Sequence, residues 1–107
     1  MSQEVLDRIK SDIASNKILI YIKGTPEQPL CGFSAATVQL FKSLGYPFVT
    51  RDVIANPELR ENVPELSNWP TFPQVFVKGK LIGGCDIVHE MHERGELEPL
   101  LKQTVQS

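Results

Sequence analysis

Apolar and polar residues fall in blocks along the chain, and the spacing inside each block predicts an element. Val5, Ile9 and Ile13 recur four apart with Leu6 beside them, while Glu4, Asp7, Arg8, Lys10 and Asp12 take other positions. That spacing predicts an amphipathic helix. Ile18-Leu19-Ile20-Tyr21-Ile22 is apolar throughout and rich in β-branched residues, as in a central strand covered on both faces by helices. Pro26 and Pro29 make Gly24 to Leu30 a loop, because proline continues neither element. From Gly32 to Leu44 helical spacing returns, with Phe33, Val38, Phe41 and Leu44 as core candidates and Gly45 as the stop.

Pro47 to Val53 predicts a second strand. Asn56-Pro57 reads as an N-cap followed by proline at the first helical position, and Pro64 predicts that this helix is short. Pro73 to Val77 and Leu81-Ile82 are strand-like, joined as a tight hairpin around Lys78-Gly79-Lys80. Asp86 is the expected cap of a last helix carrying Ile87, Val88, Met91, Leu97 and Leu100. The order is helix, strand, helix, strand, helix, hairpin, helix. Helices between the first strands predict parallel pairing there, and the hairpin adds an antiparallel part, giving an α/β fold.

A length of 107 residues predicts one domain, able to bury about 60–70 % of its unfolded surface without disulfides or a metal. Hydrophobic residues at 41 % and charged residues at 22 % argue against disorder, collagen-like repeats and coiled coil. A net charge of -2 leaves no basic footprint for nucleic acid or an anionic membrane. The N-terminus lacks the apolar core of a signal peptide. The run Ile18 to Ile22 is far below the roughly 20 residues that span a bilayer. Two cysteines, Cys31 and Cys85, are too few for a secreted disulfide scaffold. The expected compartment is therefore the cytoplasm, where reduced thiols are more often catalytic or metal-binding than structural.

Cys31 follows a strand and a proline-containing loop and stands at the start of a helix. Unpaired amides and the positive end of the macrodipole gather there, and both favour the thiolate, which is the nucleophile and the metal ligand. Lys23 at the strand end adds a cation. The alternative is a buried structural cysteine. A dithiol redox motif needs C-x-x-C, but the chain reads Cys31-Gly32-Phe33-Ser34. Serine cannot resolve a disulfide, whereas Phe33 can shield the sulfur.

Four motifs in order, Lys23-Gly24-Thr25-Pro26, Cys31-Gly32-Phe33-Ser34, Trp69-Pro70-Thr71-Phe72-Pro73-Gln74 and Gly83-Gly84-Cys85-Asp86, resemble a monothiol glutaredoxin of the CGFS class. The resemblance implies a single glutaredoxin domain over residues 1–107, with a thioredoxin-like fold: a four-stranded mixed sheet flanked by helices. It implies that Pro73 is a cis-proline facing Cys31, although any X–Pro bond is cis in only about 5–6 % of cases. Without the resemblance, Pro73 is simply a proline starting an edge strand. The implied ligand is glutathione. Lys23 and Arg60 would hold its glycine carboxylate. Thr71, Phe72 and Pro73 would line the groove, Phe72 through its backbone. Cys85 and Asp86 would bind the γ-glutamyl end. Read alone, Lys23 and Arg60 are solvated charges and Asp86 a helix cap.

Two functions compete. In the first, a [2Fe–2S] cluster, which usually takes four thiolates, is bridged in a homodimer. The resemblance implies Cys31 from each chain and two glutathione thiols as its ligands. The resemblance also implies that a BolA-like protein can replace one protomer and that iron–sulfur recipient apoproteins receive the cluster, in cluster assembly and iron homeostasis. In the second, Cys31 attacks a glutathionylated protein and glutathione regenerates it, an activity that the resemblance implies is weak. A third reading sets Cys85, His89 and His92 four and three apart, on one face of a regular helix, as zinc ligands. Against it, a cap at Asp86 would leave Cys85 outside that helix, and His89-Glu90-Met91-His92 is one residue short of H-E-x-x-H. Two solvated histidines are the better reading.

Overall fold

The computed structural model describes residues 3–107. Its elements are α1 (Gln3–Ser15), β1 (Ile18–Ile22), α2 (Gly32–Leu44), β2 (Val49–Asp52), α3 (Pro57–Ser67), β3 (Gln74–Val77), β4 (Lys80–Gly83), α4 (Cys85–Glu93) and α5 (Leu97–Gln106). The four strands form one mixed sheet in the order β2-β1-β3-β4. β1 runs parallel to β2 and antiparallel to β3, which pairs antiparallel with β4.

Every residue of β1 is buried, because its side chains alternate between two cores. Ile18, Ile20 and Ile22 meet Val38 and Phe41 of α2, Val88 of α4 and Leu97 and Leu101 of α5. Leu19 and Tyr21 meet Ile9 of α1, Val63 of α3 and Phe76 of β3. Val5 and Ile13 flank Ile9 as partly buried members of the second core. Burial of each large side chain contributes about 1.5–3 kcal/mol, and both faces of the sheet need such a cover. The Lys78-Gly79 turn takes left-handed φ at both residues, 53° and 81°, as a two-residue hairpin requires. No described helix is long and apolar enough to cross a membrane.

Several sequence expectations need correction. α3 runs through Pro64 to Ser67 instead of stopping short. Losing one N–H to the Arg60 carbonyl is offset by packing Leu59, Val63 and Leu66 onto the sheet. Asn56 occupies the cap position but makes no side-chain cap bond; its amide donates to the Asp52 carbonyl at 2.9 Å. The second strand is confined to Val49–Asp52. The last helix is two, α4 and α5, separated at Gly95, whose φ of 72° cannot continue a helix; Pro99 lies in the first turn of the next one, which starts at Leu97. Asp86 is not a cap. Gly84 is, in extended backbone, so Cys85 is the first residue of α4 and Asp86 the second. A Cβ at Gly84 would stand 3.1 Å from the Pro73 carbonyl and 3.3 Å from Trp69 Nε1. Close packing of three segments therefore places the helix start. Phe33 and Ile87 leave the core for the surface, at 62 % and 37 % exposed.

Candidate functional site

The loop between β1 and α2 holds its shape through its own backbone. Leu30 N–H donates to the Lys23 carbonyl at 2.8 Å and Thr25 N–H to that of Gln28 at 3.2 Å. Gly24 makes this possible: its φ is 93°, and a Cβ there would lie 2.5 Å from the Gln28 carbonyl. The loop delivers Cys31 to the N-cap of α2 in extended conformation. Its Sγ accepts the Ser34 N–H at 3.3 Å and lies 3.2 Å from Ser34 Oγ. Ser34 is fully buried, and its hydroxyl oxygen accepts the Lys23 N–H at 3.0 Å. That leaves the hydroxyl proton free for the sulfur.

Partial burial pushes the Cys31 thiol up. The Ser34 hydroxyl, the Ser34 and Phe33 amides and the charge of Lys23 outweigh it, so the thiol ends below its ordinary value. Ser34 thus has a role that its inability to resolve a disulfide does not suggest: it stabilises the neighbouring thiolate.

A cleft of about 500 Å³ opens beside this helix start. The structure brings together along it all of Lys23, Arg60, Thr71, Phe72, Pro73, Cys85 and Asp86. They arrive from the end of β1, from α3, from the loop before β3 and from the first turn of α4. Cys31 itself is not a wall residue, but Phe33 is. The Phe72-Pro73 bond is cis. Pro64, Trp69 and Ile87 complete the apolar walls. Ile87 has helical core spacing in the sequence, and only its exposure reveals the cleft role; Phe33, a core candidate by spacing, lies exposed on the cleft wall beside the cysteine it can shield.

Asp52, at the end of β2, ties two of these segments together. One carboxylate oxygen accepts N–H groups from Gly24 at 3.0 Å, Ile54 at 2.9 Å and Ala55 at 3.2 Å. Burial would raise this carboxyl, but the amides of Ala55, Gly24 and Ile54 hold it below the usual carboxylate range. The loop bearing Lys23 is thereby fixed to the turn that leads into α3 and Arg60.

Cys85 Sγ lies 3.5 Å from His89 Nδ1, and Nδ1 lies 2.7 Å from the Cys85 carbonyl oxygen, so a proton on Nδ1 is donated to that oxygen. His92 is exposed. Among the described residues no group of three His, Cys, Asp or Glu side chains is placed to share a metal ion.

A cis-proline turn on the wall of a cleft that Lys23 and Arg60 also line, beside a helix capped by a cysteine whose thiol pKa is lowered, defines a thiol protein of the thioredoxin-like class. Residues 18–82 match the glutaredoxin family model. The chain belongs to the glutaredoxin family, on its monothiol branch. It is 50 % identical over 99 residues to glutaredoxin 4 of Escherichia coli, covering 92 % of this chain and 86 % of that protein. It is 53 % identical over 87 residues to the probable monothiol glutaredoxin GrlA of Legionella pneumophila, covering 81 % and 98 %. Among solved structures, a buckwheat glutaredoxin–glutathione complex superposes with a TM-score of 0.84 at 27 % identity, over 97 % of this chain and 96 % of that one.

Proposed function

We propose that the protein binds glutathione in this cleft and carries a [2Fe–2S] cluster between two chains, serving cluster assembly, transfer and iron homeostasis. One observation carries the reading. The only thiol in Cys31-Gly32-Phe33-Ser34 is hydrogen-bonded, and its pKa lowered, by the very serine that replaces a resolving cysteine. Such a site offers one soft sulfur ligand per chain and no internal route to a disulfide with its neighbour. A [2Fe–2S] cluster usually takes four thiolates. Two chains supply two, and two bound glutathiones supply the rest.

Each residue then has a task toward the peptide. Lys23 and Arg60 pair with the glycine carboxylate, the Phe72 backbone pairs with the cysteinyl peptide, and Asp86 receives the γ-glutamyl ammonium. The amides at the start of α4 suit the remaining carboxylate. The likeness to a glutaredoxin solved with glutathione supports this placement. A cargo held partly by exchangeable ligands suits hand-over to recipient apoproteins, and a BolA-like protein is the proposed alternative to the second protomer. The two unpaired cysteines suit action in the reducing cytoplasm.

The depressed Cys31 thiol also favours a second reading. Its thiolate would attack the glutathione sulfur of a protein mixed disulfide and release the protein thiolate. A second glutathione thiolate would then free Cys31 as glutathione disulfide forms. Anaerobic reconstitution with iron, sulfide and glutathione, read by visible absorption and native mass, separates the two. A glutathione-dependent chromophore in a dimer supports the carrier. A colourless monomer that turns over mixed disulfides rapidly rejects it.

A further inference from the structure

Gln74 is a polar residue where the pattern calls for an apolar one. It opens β3 directly opposite Tyr21 and is completely buried. It lies on the sheet face where Leu19, Tyr21 and Phe76 pack against α1 and α3. An amide buried there is costly unless its hydrogen bonds are made. Both of its donor hydrogens go to a single stretch of chain: Nε2 donates to the Trp69 carbonyl at 2.8 Å and to the Thr71 carbonyl at 3.2 Å, while its buried Oε1 has no partner among the described residues. Two facing carbonyls admit only the NH₂ end, so the orientation of the amide is fixed. Trp69, Thr71 and Phe72 are walls of the cleft.

The consequence follows from peptide geometry. In a trans peptide the C=O and the next N–H point in opposite directions, and the Thr71–Phe72 bond is trans. Since Gln74 draws the Thr71 oxygen inward, the Phe72 N–H is turned outward, toward the cleft. No hydrogen bond among the described residues uses that N–H.

We propose that Gln74 is a positioning residue for the cleft ligand: its side-chain amide holds the Thr71–Phe72 peptide so that the Phe72 N–H can donate to a carbonyl of glutathione. This rests on the glutathione reading above. The residue touches no ligand itself. It sets the direction of a backbone donor on the cleft wall that an extended peptide can use.

The test is an amide NMR titration of the full chain with reduced glutathione, comparing wild type with Gln74→Leu, which fills the apolar face. The wild type should show saturable shifts that include Phe72. The variant should bind about tenfold more weakly, as for one misdirected hydrogen bond, with the Phe72 response lost. The pH profile of Cys31 alkylation should stay unchanged, which general damage to the site would not allow. A folded Gln74→Leu with wild-type affinity and an intact Phe72 response would overturn the proposal. Hydrogen exchange of the Gln74 side-chain amide in the wild type decides the matter should the variant not fold: protection supports the clamp, and rapid exchange overturns it. If the wild type itself does not bind glutathione, the ligand reading fails, and the exchange measurement still judges the hold on the loop.

Discussion

Cys31 and Cys85 each stand at the start of a helix, half-buried and unpaired, yet their sulfurs meet different surroundings. Cys31 occupies the cap position, and its extended backbone turns the sulfur back onto the Ser34 amide and hydroxyl. Cys85 lies one position further in, as the first helical residue behind a glycine cap. Its polar neighbour is His89, whose shorter contact goes to the Cys85 carbonyl. Proximity to a helix N-terminus therefore does not by itself give a sulfur amide and hydroxyl partners. Cys31 Sγ stands where a capping oxygen would, facing the Ser34 amide, and Cys85 Sγ does not.

The sharpest way to break this contrast is to remove each sulfur in turn. Cys31→Ser should abolish cluster retention in the anaerobic reconstitution, while Cys85→Ser should keep a substantial fraction. Equal losses would mean that the four-thiolate arrangement is wrong. Ser34→Ala comes next. Without the hydroxyl, the Cys31 pKa should rise toward the free value of about 8.5, slowing alkylation severalfold at neutral pH while Cys85 labelling stays unchanged. An unaltered Cys31 profile would show that the amides alone stabilise the thiolate.

Asp52 tests the frame behind Cys31. Its carboxyl is depressed below the ordinary value of about 3.9. The stability it contributes is thus complete above that pH and lost as pH falls through its folded pKa. Asp52→Ala should cost about 1–3 kcal/mol at neutral pH and flatten the acid limb of denaturant stability measured against pH. A variant with the wild-type acid slope would rule this carboxylate out as a source of the pH dependence. The smallest effect on the Cys31 thiol belongs to Lys23→Gln, because its charge is the last of the causes that lower it. Glutathione affinity should fall clearly and the alkylation profile move only slightly upward.

Much of this molecule can be read from local pattern. The β1 run of five apolar residues, the Gly45 stop of α2 and the Lys78-Gly79 hairpin each carry their own conformational cause within a few residues. Elements whose fate depends on distant packing are harder to read. Pro64 argues for a helix end, but the sheet beneath Val63 holds the helix together. Asp86 has the chemistry of a cap, but the meeting of Gly84 with Pro73 and Trp69 sets the start of α4 two residues earlier. Phe33 and Ile87 have helical core spacing, yet the cleft leaves them exposed.

The sequence by itself determined the chemistry on offer: one cysteine in a helix-starting motif, a serine in place of its partner, and four motifs in a fixed order. Those are local facts, since residue type and short spacing decide which groups exist and which turns they favour. Only the tertiary structure decided how they combine. It set Lys23, Arg60, Phe72 and Asp86 along one cleft, gave Ser34 its position under the sulfur, and put Gln74 beneath the loop it holds. The cleft joins residues far apart in the chain through packing on a shared sheet, which local spacing does not encode; the Ser34 and Gln74 contacts reach only three to five residues, but they form because the fold sets the helix cap and the proline turn that make them.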